Sequence, residues 1–98
     1  MNRRQALKTL SANRNALNRF SVKDIYIFGS VARDESSDGS DVDILVEFQA
    51  DAKIGLFQFA RLQRLLSELL ECDVDLATRD ALHKDLKENI LKEAIHAA

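Results

Sequence analysis

Ninety-eight residues suffice for a single domain over 1–98 and leave no room for a second, so a function that needs two large lobes must borrow one from a partner. Hydrophobic residues at 46% and charged residues at 31% are ordinary for a soluble globular chain. No apolar run approaches the roughly 20 residues of a membrane span, and the basic start Met1-Asn2-Arg3-Arg4-Gln5 leads into no signal-like apolar core, so a cytoplasmic protein with no membrane partner is expected.

Leu7, Leu10 and Leu17 recur at helical spacing among Arg, Lys and Asn, which predicts an amphipathic opening helix over residues 3–19. Ile25-Tyr26-Ile27-Phe28, ended by Gly29, suits a short buried strand, after which Val31-Ala32-Arg33 turns into a short helical segment. Residues 34–40 are all polar or turn-forming and predict a surface loop. Val42 to Phe48 alternates, with Val42, Ile44, Val46 and Phe48 on one face and Asp43, Leu45 and Glu47 on the other. Leu62, Leu65, Leu66, Leu69 and Leu70 mark the core-facing stripe of a helix over about 55–71. Val74 to Ala77 is a third strand, and Asp85-Leu86-Lys87-Glu88 has the form of a capping box opening a last helix through about residue 94. The order helix, strand, loop, strand, helix, strand, helix predicts an α/β domain, a small mixed sheet flanked by helices.

The charge is uneven: residues 1–23 carry six basic and no acidic side chains, and residues 24–51 carry one basic and eight acidic. A solvated loop beside a basic helix explains such a run in general. The spacing inside it is more telling. Asp41 and Asp43 stand at i and i+2 at a strand entrance, hence on one face and roughly 6 to 7 Å apart at their α-carbons. Like charges so placed repel unless a cation neutralises them, and hard carboxylate oxygens favour magnesium or manganese over zinc. Two such ions clamp the attacking and leaving oxygens of an in-line phosphoryl displacement. Taken alone, the pair fits a solvated strand end better than a metal site. Asp75, flanked by Val74 and Leu76, adds a third carboxylate that fits either a water-facing strand end or a shared ligand and general base.

Gly29-Ser30 follows an apolar strand, where glycine admits close backbone approach to an anion, the serine hydroxyl can donate to a phosphate, and a following helix start adds its dipole. Arg33 suits a phosphate oxygen or a salt bridge to an acid of the loop. Other nucleotide motifs are absent: Gly29, Gly39 and Gly55 are the only glycines, too few for a P-loop or a dinucleotide fingerprint. An EF-hand starting at Asp34 fails because its twelfth position is Leu45. Cys72 is the only cysteine and reads as a buried or half-buried thiol, which excludes an intrachain disulfide and, with only two histidines, argues against structural zinc. His83, on a polar turn, and His96, at a frayed end, receive no catalytic role. Nucleic-acid binding through the basic helix is disfavoured, since residues 1–23 hold only Phe20 for stacking.

Phe28-Gly29-Ser30-Val31-Ala32-Arg33, then Ser40-Asp41-Val42-Asp43-Ile44-Leu45, then Val74-Asp75-Leu76 together resemble the nucleotidyltransferase superfamily that includes DNA polymerase β. Ten residues separate Gly-Ser from Asp-x-Asp, and a lone strand Asp follows. At this length the chain most resembles the minimal nucleotidyltransferases, or MNT proteins, commonly antitoxins of HEPN toxins. The resemblance implies Ser30 at a nucleoside triphosphate, where the local reading also sets Gly29 and, as one of its two options, Arg33, and it implies Asp41, Asp43 and Asp75 as metal ligands, with Asp75 also the base. It further implies two magnesium ions (manganese as substitute), ATP as substrate, and AMP transfer to a hydroxyl, often a tyrosine, of a HEPN-type toxin. Asp34 departs from the glycine many relatives carry there, placing an extra acid near the triphosphate. A non-catalytic antitoxin that neutralises its partner by complex formation is the other expectation, and a homo-oligomer is left open.

Overall fold

The structure, a computed structural model, describes residues 2–33, 41–78 and 84–98, with the backbone alone for 84–87. In chain order they form α1 (Arg3–Ala12), α2 (Arg14–Asn18), β1 (Val22–Phe28), α3 (Gly29–Ala32), β2 (Val42–Phe48), α4 (Leu56–Leu70), β3 (Val74–Thr78), α5 (Lys84–Glu93) and β4 (Ile95–His96). The strands make one sheet in the order β3-β2-β1-β4. β2 runs parallel to β3 and antiparallel to β1, so the sheet is mixed as the element order predicts. α4 is the crossover that parallel neighbours require.

The helix expected over 3–19 is two helices. α1 opens on a capping box in which Asn2 accepts from the Gln5 amide at 2.8 Å, and it ends at Asn13. There the Asn13 side chain donates to the Thr9 carbonyl at 2.8 Å, a local alternative to helix continuation that asparagine offers more readily than other residues. Leu10 and Leu17 are buried on the two pieces, with Leu7 at the margin, so the periodic stripe survives the break. β1 begins three residues earlier than expected, at Val22. β4, which the periodicity does not predict, is too short to display a pattern. It pairs Tyr26 with His96 and Ile27 with Ile95. His96 is therefore ordered, correcting the expectation of a frayed end: its Nε2 lies 2.9 Å from Asp24 Oδ1 and its ring meets Tyr26 edge-on.

The sheet's two faces differ in what they bury. Ile25 and Ile27 of β1, Val42, Ile44 and Val46 of β2, and Val74 of β3 form one core with Ala6, Leu10 and Leu17 and with Leu62, Leu66 and Leu70 of α4. Leu65 and Leu69, expected in the same stripe, are only half-buried at its edge. The opposite face carries Asp43, Leu45 and Glu47. Leu91 of α5 and Ala94 just after it line, together with Leu45, a cavity of about 110 Å³ there. The capping box expected at residues 85–88 falls largely on side chains outside the described set, and so do the loop 34–40 and His83. Among the described residues, no helix is long and apolar enough to cross a membrane.

Candidate active site

Register brings the carboxylates together. Asp43 is the Cα partner of Asp75 across the parallel pair and of Phe28 across the antiparallel one. One carboxylate thus has the third-strand acid on one side and the end of β1 on the other. The β2-β3 ladder reaches beyond the site, since the Val42 amide donates to the Asp73 carbonyl at 3.0 Å. α4 fixes the same edge: the Gln63 amide nitrogen donates to the Val74 carbonyl at 2.8 Å, next to Asp75. Asp75 itself is exposed, so its place between Val74 and Leu76 demands no burial of charge. Asp41, one residue ahead of β2, is exposed as well, and Asp43 is half-buried.

This crowding has an electrostatic signature. Burial holds the Asp43 carboxyl above its ordinary value of 3.8, and the charges of Asp75 and Asp41 and a hydrogen bond with Asp75 push the same way. Arg33 pulls in the opposite direction. Asp75 thus acts on Asp43 by charge and by hydrogen bonding, and Asp41 by charge alone. Among the described residues no three His, Cys, Asp or Glu side chains already converge as a ready metal-ligand set. The donor chemistry nonetheless suits a hard divalent cation, which would neutralise a carboxylate pair whose mutual repulsion is already expressed in Asp43.

Gly29 closes the site from the β1 side. Its φ of +71° is the left-handed conformation that glycine adopts without strain, and a β-carbon there would collide with Asp43 Oδ2 and come within 3.1 Å of its Cγ. The glycine is thus required by backbone shape and by the carboxylate that fills the space beside it. Gly29 also opens α3, whose Val31 and Ala32 are buried, while Ser30 is half-buried. α3 is a single turn of four residues, so the helix dipole expected to favour an anion here is small. Arg3 Nη1 donates to the Ala32 carbonyl at 3.3 Å, tying the end of this turn to α1.

Arg33 is paired with an acid outside the loop that follows it. Its Nη1 lies 3.0 Å from Glu93 Oε2, at the end of α5. The other oxygen of the same carboxylate accepts from the Gly29 amide at 3.1 Å. Sequence reasoning missed Glu93, because 60 positions separate it from Arg33 and no spacing rule links them. Asp34 lies outside the described residues. A cavity of about 840 Å³ lies elsewhere, between the far ends of β2 and β3 and the start of α4; side-chain chemistry, not volume, marks the site.

Comparison with known proteins points the same way. The family model described as nucleotidyltransferase domain matches residues 7–96. Protein adenylyltransferase MntA of Thermococcus cleftensis is 36% identical over 88 residues, covering 89% of this chain and 87% of its own. A solved candidate minimal nucleotidyltransferase is 37% identical, with a TM-score of 0.72 over 97% of this chain and 95% of that one. The fold also matches, at 20% identity and a TM-score of 0.59, a chain of the complex between tri-AMPylated Shewanella oneidensis HEPN toxin and MNT antitoxin, over 90% of this chain and 71% of that one.

Proposed function

Since this chain belongs to the nucleotidyltransferase domain family, we propose that it is a protein adenylyltransferase that moves AMP from ATP to a hydroxyl, a tyrosine in our reading, on a HEPN-type toxin and so serves as its antitoxin. The observation that carries the proposal is the juxtaposition of Asp43 with Asp75 by register and with Gly29 by steric fit.

Asp41, Asp43 and Asp75 would hold magnesium, or manganese in its place, and bound there the ions would offset the charge that builds on the phosphoryl oxygens. The chain's own groups do the rest. Ser30 and Arg33 bind the triphosphate, the hydroxyl by donation and the guanidinium by charge. Asp75, the most water-accessible of the paired acids, takes the proton of the acceptor hydroxyl. The acceptor oxygen then bonds to the α-phosphorus as the bond from that phosphorus to the bridging oxygen breaks, and pyrophosphate leaves with the electron pair.

The test is to incubate the protein with magnesium, α-labelled ATP and the HEPN-type partner and to follow label and intact mass. Label should reach the partner in steps of one AMP. Asp41→Ala with Asp43→Ala should abolish it in a protein that still folds, and Asp75→Ala should lower kcat by roughly 10²–10⁴-fold with little change in KM for ATP. Undiminished transfer by the double variant would sink the assignment. Because no three carboxylates converge as a ready metal-ligand set among the described residues, neutralisation by complex formation alone is the second reading. It requires that the double variant still neutralise the partner at stoichiometric dose.

A further inference from the structure

We propose that Glu93 is a positioning residue of the nucleotide site, one that sets the Gly29 turn and the Arg33 guanidinium in place for the triphosphate. The inference rests on the reading just given, in which Ser30 and Arg33 meet the phosphates.

The fold delivers Glu93 to this spot by register. β1 and β4 pair antiparallel at Tyr26 with His96 and at Ile27 with Ile95, and continuing that register by two residues sets position 93 opposite position 29. Both flanks of Glu93 are held. On the helix side the Ala94 amide donates to the Ile90 carbonyl at 2.9 Å, and on the strand side the Ala97 amide donates to the Ile25 carbonyl and the Ile25 amide to the Ala98 carbonyl, each at 2.8 Å.

From that anchored backbone one carboxylate divides its two oxygens. Oε1 accepts from the Gly29 amide at 3.1 Å, and Oε2 meets Arg33 Nη1 at 3.0 Å. The first bond holds the left-handed turn that starts α3 and presents Ser30. The second holds the guanidinium one helical turn onward. Arg33 also lowers the proton affinity of Asp43, so the guanidinium Glu93 steadies lies within electrostatic reach of the carboxylates. An arginine that reaches a phosphate from a disordered side chain loses rotamer freedom on binding, and an arginine already ordered by a partner loses less. The fork geometry of guanidinium permits this, because its several N–H donors can serve a carboxylate and a phosphate at once.

The test measures ATP affinity directly by calorimetry with magnesium, alongside KM and kcat for transfer, in wild type, Glu93→Gln, Arg33→Ala and the double variant. Glu93→Gln keeps the size of the side chain and an acceptor for the Gly29 amide while removing the ion pair. It should weaken ATP binding and raise KM by about tenfold, leave kcat at saturating ATP within about twofold, and leave the unfolding midpoint near the wild-type value. In the Arg33→Ala background the same change should lose most of its effect, the signature of action through Arg33. Unchanged or tighter ATP binding in Glu93→Gln overturns the proposal, the latter by making Glu93 a competitor of the phosphates. An equal loss with and without Arg33, accompanied by a fallen midpoint, overturns it in favour of a purely structural role. Wild type that binds no ATP overturns the parent reading as well, whereas wild type that binds ATP without labelling the partner leaves the positioning claim standing and removes the acceptor assignment.

Discussion

At Asp43 three demands meet: a ladder position in β2, a carboxyl beside Asp75, and the space that Gly29 leaves by lacking a β-carbon. The folded chain holds the Asp43 proton above the ordinary value of 3.8, so the native state binds more protons than the unfolded chain does. The stability this lends is complete below about 3.8 and is lost as pH rises through the folded value, so at neutral pH the ionised side chain weakens the fold. Asp43→Asn should therefore raise the unfolding midpoint at pH 7 in the absence of divalent cations. Each 1 kcal/mol corresponds to about 4–8 °C in a domain of this size, and the advantage over wild type should close as pH falls below 4. Thermal unfolding at several pH values checks this, and a variant no more stable at pH 7 contradicts it. Gly29, Asp43 and Asp75, which the fold sets side by side, could be singled out as candidates in the sequence, with Asp41, because their signal is local: a glycine after an apolar strand, acids at i and i+2, an acid between two apolar neighbours. Glu93 was not, because its meaning is created by strand pairing between residues far apart in the chain.

Among the elements, α4 is the one whose pattern announced it most openly, and its boundaries are met within one residue, Leu56–Leu70 against about 55–71. Its C-cap carries a defect that periodicity could not reveal. Glu71 ends the helix at φ +56° and ψ +36°, a left-handed cap usually given to glycine, with its amide donating to the Ser67 carbonyl. A non-glycine residue there gives up roughly 1–2 kcal/mol to steric crowding. Glu71→Gly should stabilise the protein by about 1 kcal/mol, a little less than the strain relieved because glycine is freer when unfolded, and chemical denaturation measures it. A loss of stability would show that the Glu71 side chain makes up for its backbone. The same lesson holds for residues 3–19, where the leucine spacing was right and the single helix was not. Asn13 bonds back to Thr9 and breaks the run without disturbing which side chains face the core.

For the molecule as a whole, the sheet separates labour between its faces. One carries Ile25, Ile27, Ile44 and Val46 into the helices, and the other carries Asp43. Alternation within β2 reported this division from sequence alone. The pairing order β3-β2-β1-β4 and the short β4 could not be read there, since periodicity gives a strand's faces but not its neighbours. The separation predicts that damage to the core lowers stability and spares chemistry. Leu66→Ala, at a site with no exposed surface, should cost about 2–5 kcal/mol of stability. Transfer measured well below the new midpoint should stay within about twofold of wild type, and a much larger fall in kcat would show that the sheet transmits packing changes to the carboxylates.

The pairing of β4 with β1 also sets a timetable. Asp41, Asp43 and Asp75 can take their places once β1, β2, α4 and β3 exist, but the carboxylate that grips Gly29 and Arg33 belongs to residue 93. On a ribosome, which delivers the chain from its amino end, the carboxylate half of the site can gather while the grip on the turn is still unmade. Synthesis must run to residue 93 and on through the strand that follows before Glu93 can reach the Gly29 turn, so this long-range contact forms only after the carboxylate strands are in place.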